Sequence, residues 1–227
     1  MRRFAGYLLI GVFSAVLVVA GYQLYEIWDT YHEADEEYRE IKQVAEGPEK
    51  DPEGEDPGEQ GKQGEEKQED AIHFERLKQI NPDIVAWLRI EAAGINYPVV
   101  QGTDNEHYLH YTFRGEENIA GSIFMDYRNA KDFSDAKVIL YGHNMRDGSM
   151  FAKLKKLDMK EEHKAVIYTP EKTYNYRLIG KDYVDKNDVI YQLSEEKNGE
   201  DKAQALILST CSSDASTRYI IVGKIGD

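Results

Sequence analysis

The sequence predicts a mainly β chain: a closed or nearly closed barrel of about eight strands, with helices ahead of it and short helices between strands. One apolar helix precedes the whole. Three observations lead there. Phe4 to Tyr22 is a single uncharged run, FAGYLLIGVFSAVLVVAGY. After residue 90, short apolar or alternating runs recur to the end of the chain, the pattern of half-buried strands. Helical spacing in that half is confined to brief patches.

The apolar run comes first. Nineteen residues at the rise of an α-helix span roughly 28 Å, close to a bilayer core. Arg2 and Arg3 precede it and acidic residues follow. The positive-inside rule then puts residues 1–3 in the cytoplasm, residues 4–22 across the membrane as a single pass, and the rest outside. A cleaved signal peptide is the rival reading. The run is long for one, and Val18-Val19-Ala20 is a poor cleavage site.

Residues 23–70 read as an acidic stalk and linker. Tyr25, Trp28 and Tyr31 fall three apart in a polar, helix-compatible stretch that either lies at the membrane interface or continues the helix. Residues 46–70 contain no large apolar side chain, so they read as a disordered spacer. As a flexible coil its ends lie roughly 25–30 Å apart. The charge is concentrated here: the whole chain carries -14, and residues 26–70 hold 18 acidic and 5 basic side chains. The remainder is nearly balanced and shows no basic stripe, which argues against a nucleic-acid partner.

A folded domain is expected over 71–227. His73 to Ile80 has helical spacing. Asn81-Pro82 reads as its stop and as the cap of a second helix, carrying Ile84, Val85, Trp87, Leu88 and Ile90. Strands are expected at 95–100, 121–125, 137–141, 165–169, 174–179, 205–210 and 219–225, with helical patches near 104–110 and 149–157. Trp87, Met150 and Phe151 read as core.

The chemistry centres on Cys211, the one cysteine. It ends the run Leu206 to Thr210; seven residues on, Arg218 opens a second run. Two such runs joined by a short polar segment read as a hairpin, with a thiol and a guanidinium at its mouth. A neighbouring cation favours the thiolate. Alone, such a cysteine is more often a small buried hydrophobe. In an exported domain, however, cysteines are usually paired. His143 follows the strand VILY and a glycine, where a side chain reaches into a cleft. A thiolate nucleophile, an imidazole acid–base and a guanidinium for an oxyanion form a coherent acyl-transfer set. His73, His163 and His32 sit in polar surroundings, and His107 with His110 lacks further ligands for a metal. No calcium-loop spacing occurs.

With LILSTC at 206–211, Arg218 and YGHN at 141–144, the chain resembles the sortases, cell-surface cysteine transpeptidases of Gram-positive bacteria. Their signature is TLxTC, a nearby downstream arginine and an upstream histidine. NPDIVAWLRI, INYPVVQG, GSIFMDYRN and YGHNMRDGSMF resemble class B members in particular. The resemblance runs from about His73 to the C-terminus and implies a sortase-type barrel without cofactor or metal. It assigns catalysis to His143, Cys211 and Arg218, and makes Tyr141, Asn144, Ser209 and Thr210 candidates for the substrate groove. It implies exported proteins bearing a sorting-signal pentapeptide as substrates, and a cell-wall peptide amine, from a cross-bridge or its precursor, as acceptor.

Two departures stand out: Ile207 replaces the first threonine of the signature, and the segment before the cysteine strand is short. Tyr191 to Lys202 has room for a brief helix at most, where many class B members build a groove wall. Alternatives are a pilin-polymerising sortase that uses a protein lysine, disfavoured by the absence of a C-terminal apolar tail, and an idle surface-binding barrel.

Overall fold

The computed structural model describes residues 2–47, 72–193, 205–211 and 216–226, with backbone alone at 2–6, 8–10 and 211. Eight strands close into a barrel: β1 (Ile84–Ile90), β2 (Ile95–Val100), β3 (Ile123–Met125), β4 (Lys137–Tyr141), β5 (His163–Tyr168), β6 (Thr173–Asp185), β7 (Ala205–Cys211) and β8 (Thr217–Ile225). Their order around the barrel is β1-β2-β3-β4-β7-β8-β6-β5. The β2–β3 and β4–β7 pairs are parallel and the others antiparallel. A parallel neighbour requires a long crossover. The crossover between β2 and β3 carries the short helix α3 (His107–His110).

The expected second helix over 83–90 is strand β1 instead. Its residues are buried on both faces, with Arg89 alone partly exposed. A strand covered on both sides lacks polar alternation, and a short apolar run of this kind is indistinguishable from a buried helix by spacing alone. Asn81 caps no helix start. Its Oδ1 accepts from the Asp83 amide at 2.9 Å, a turn that feeds the chain from α2 (Phe74–Ile80) into β1. Trp87 is fully buried, as expected, with Met150 and Phe151 beside it in the core. The patch near 149–157 is a 3₁₀ helix, Ala152–Lys156. His163 opens β5 and is buried, not in a polar turn.

The largest difference lies at the N-terminus. One helix, α1, runs without interruption from Arg2 to Glu46. Residues 11–28 are exposed, Tyr25 and Trp28 among them. From Tyr31 onward it packs against the barrel through Ala34, Tyr38, Ile41 and Ala45. That stripe of spacing four, three, four is an amphipathic helix face. It escaped notice because acidic residues surround it. Residues 34–46 therefore belong with the barrel and not to a stalk. Arg89 on β1 pairs with Glu46 at 2.8 Å, and Arg114 with Glu40 at 2.9 Å. The His73 amide donates to Ala45 O at 3.0 Å, so the chain returns beside the end of α1. The spacer expected over 46–70 lies, from residue 48, outside the described residues.

Candidate active site

The β4–β7–β8 part of the barrel brings the sequence candidates to one place. Parallel pairing sets Tyr141 beside Ser209, and antiparallel pairing sets Cys211 opposite Arg218. The predicted hairpin is thus present in its backbone; its loop, with Asp214, lies outside the described residues. On β8, Arg218 also pairs with Val184 of β6. Strand alternation separates two faces. Leu206, Leu208, Tyr219 and Ile221 fill the barrel core, while Ile139, Ile207 and Ile220 form a second small cluster on the opposite face. Val184, Ile190, Tyr191 and Leu193 cover that cluster.

There a cleft of about 700 Å³ opens, lined among others by His143, Tyr141, Ser209, Thr210, Arg218 and Arg128. A 3₁₀ turn at Val189–Tyr191 forms part of the cleft wall. Residues 194–202 lie outside the described residues.

His143 is half-buried in the loop after β4. The Gly142 amide donates to Ser209 O at 3.2 Å, which ties this loop to β7 two residues before Cys211. A Cβ on Gly142 would lie 2.9 Å from Phe151 Cδ2 and closer still to Ile123 Cδ1. Only glycine fits between them. The imidazole Nε2 meets Leu109 O, at the last turn of α3, at 2.7 Å. A carbonyl only accepts, so the neutral ring carries its proton on Nε2 and Nδ1 is its basic position. Asn144 does not line the cleft; its backbone bridges to Met150.

Tyr141 lines the cleft. It is half-buried, and its hydroxyl donates to Asp126 Oδ2 at 2.9 Å. Burial and that carboxylate push the Tyr141 pKa upward, so the hydroxyl stays a donor. Asp126, fully buried, accepts two parallel bonds from Arg128 at 2.8 and 2.7 Å, and one from Asn105 at 3.0 Å. Burial raises the Asp126 pKa, but the bonds from Arg128 and Tyr141 outweigh it and hold the carboxyl below its ordinary value.

Arg128 also donates to Tyr191 O at 3.0 Å, Lys137 Nζ to Ile190 O at 2.6 Å, and the Tyr191 hydroxyl bonds Ser209 Oγ at 2.8 Å. The rings of Tyr141 and Tyr191 stack with centroids 6.3 Å apart. These bonds pin the cleft wall to β4 and β7. The Asp126–Arg128 pair and Tyr191 were not singled out from the sequence. An Asp-x-Arg triplet directly after an apolar strand was a usable signal for the first; Tyr191 carried none.

Ser209 and Thr210 are buried, and the Thr210 hydroxyl has no hydrogen-bond partner among the described residues. Buried hydroxyls are rarely left so. Among the described residues, no group of three or more His, Cys, Asp or Glu side chains is placed to hold a metal ion.

A family model for the sortase domain matches residues 88–225. A sortase B of Staphylococcus aureus is 34% identical over 180 residues, 67% of this chain and 74% of that protein. A sortase B of Listeria monocytogenes is 52% identical over 80 residues, 35% of this chain and 32% of that protein, so this match spans about a third of the relative. The crystal structure of a sortase B from Bacillus anthracis superposes with a TM-score of 0.65 at 30% identity, covering 88% of this chain and 99% of that one. The barrel, the strand-end cysteine and these likenesses agree: the chain belongs to the sortase family, among relatives that are sortases of class B.

Proposed function

We propose that the protein is a membrane-anchored class B sortase that cleaves a C-terminal sorting signal of exported proteins and joins the new carboxyl end to a cell-wall peptide amine. The observation that carries this reading is the register of Cys211 opposite Arg218, with the His143 loop bonded to β7 through Gly142 and Ser209.

The Cys211 thiolate attacks the scissile carbonyl carbon. The C=O π pair moves to oxygen, and Arg218 stabilises the oxyanion or holds the substrate carbonyl. Protonated His143 gives its proton to the departing amine as the C–N bond breaks, leaving a thioester and a neutral imidazole. The acceptor amine then attacks the thioester and His143 takes its surplus proton. The C–S bond breaks, and the product is a new amide with the thiolate restored. Water is the slower acceptor.

Tyr141, Ser209 and Thr210 contact substrate in this reading, and the Thr210 hydroxyl, without a partner among the described residues, supports a polar substrate group beside it. Asn144 serves the loop instead. No cofactor or metal takes part.

Residues 4–22 span the membrane, with residues 1–3 cytoplasmic and the barrel outside. The support is a helix long and apolar enough to cross: within Gly11–Glu46 an unburied stretch of 18 residues has a mean hydropathy of 1.3. The test is a peptide-library transfer assay with an amine acceptor. Cys211→Ala and His143→Ala should each abolish thioester formation and transfer; transfer that survives in Cys211→Ala would overturn the reading.

A further inference from the structure

The C-terminal half of α1 does more than cover the barrel. Tyr38, buried at 8% exposure, donates its hydroxyl to Gly121 O at 2.6 Å and lies 3.2 Å from Ser122 Oγ. Gly121 has φ +53 and sits against α3 so closely that a Cβ would lie 2.7 Å from Leu109 O. That oxygen is the one bonded to His143 Nε2. The Ser122 amide and hydroxyl donate to Tyr108 O and Tyr111 O, each at 2.9 Å, and hold the same turn from either end.

Tyr38 reaches the histidine by a second route. Its ring meets Tyr97 edge-on, with centroids 5.3 Å apart. The Tyr97 hydroxyl accepts from the Met150 amide at 3.4 Å. Met150, in the left-handed region at φ 51, closes the His143 loop: its backbone bridges to Asn144, and the next amide, of Phe151, donates to His143 O at 2.9 Å.

We propose that the docked half of α1 positions His143 through Tyr38, which clamps Gly121 behind the Leu109 carbonyl and Tyr97 beneath the histidine loop. Tyr38 touches neither substrate nor reacting atoms. It is a positioning residue, and the inference rests on His143 being the acid–base of the reaction. The helix that leads to the membrane is then part of the machinery that sets the imidazole tautomer.

The test uses the full chain in detergent micelles, labelled with ¹⁵N-histidine, and the peptide selected by the wild-type protein in the library assay. His143 is identified by the signals missing from His143→Ala. The wild-type neutral ring should show its proton on Nε2. In Tyr38→Phe the Nδ1-protonated form should appear, and kcat should fall about threefold to tenfold with KM within about twofold, as for a group moved by a fraction of an ångström. Ser122→Ala should shift both in the same direction by less. Ile41→Val, on the same helix face, should lower Tm without changing the tautomer.

A single Nε2 tautomer with wild-type kcat in Tyr38→Phe would overturn the inference, as would an equal tautomer change in Ile41→Val, which would reduce the effect to stability. Turnover that survives in His143→Ala would instead remove the catalytic reading itself.

Discussion

Gly142 occupies a site where one methyl group is too large. Gly142→Ala should press Ile123 and Phe151 apart and displace His143. A loss of about 1–3 kcal/mol in denaturant unfolding is expected for overpacking of this kind, together with reduced turnover. Arg218→Lys keeps the charge but loses the planar fork. If Arg218 supplies oxyanion donors, transfer should fall roughly a hundredfold at unchanged Tm, read in a steady-state assay. Asp126→Asn leaves Arg128 without its buried partner and should cost about 2–4 kcal/mol. The sign of its pH dependence follows from the depressed Asp126 pKa. The wild-type contribution is fully present above the unfolded carboxylate value near about 4, and is lost as pH falls toward the lower folded one. Tm measured from about pH 5 down to pH 2 should therefore decline less steeply in Asp126→Asn. His143, Cys211 and Arg218 stood out in the sequence by type, because the acyl transfer proposed for them needs those functional groups; the fold sets Cys211 opposite Arg218 and puts His143 and Arg218 on one cleft. Asp126 and Arg128 were legible only as an Asp-x-Arg spacing; Tyr141 and Asn105, which complete the shell of Asp126, are brought near only by folding.

At the scale of elements, the cleft wall depends on few bonds. Tyr191→Phe removes the link to Ser209 and leaves the stacked ring in place. It should raise KM more than it lowers kcat, in peptide-cleavage kinetics, since the wall borders the groove rather than the reacting atoms. The strands were readable where alternation or turn residues marked them, as in β2, β4, β7 and β8. Strand β1 was not, since α2 and the core bury both its faces and erase the polar alternation. Strand β6 runs on to Asp185, past the expected stop at Ile179, because β8 pairs with it as far as Thr217. Pairing partners, not local pattern, set that length.

For the molecule as a whole, α1 decides what constitutes the folded unit. A chain shortened to begin near residue 28 keeps Ala34, Tyr38, Ile41 and Ala45. One that begins at residue 71 loses all four and exposes the barrel surface they cover. The shorter protein should unfold at a clearly lower temperature and bind a hydrophobic dye, by scanning calorimetry and fluorescence, since each large buried side chain contributes roughly 1.5–3 kcal/mol. The domain start near residue 71 expected from sequence followed composition, and the acidic surroundings of the α1 stripe hid it. The unbroken α1 also makes angle, and not only distance, a property of the enzyme. If residues 4–22 lie in the bilayer as proposed, every residue inserted in the exposed stretch before Tyr31 lifts the barrel about 1.5 Å and turns it about 100°. Insertion of two residues would swing the cleft to the far side of the helix axis, whereas seven, close to two full turns, would restore its bearing. Transfer from a membrane-tethered substrate should then oscillate with insertion length, while cleavage of a free peptide stays level: the phase of a helix would be written into which neighbours the enzyme meets.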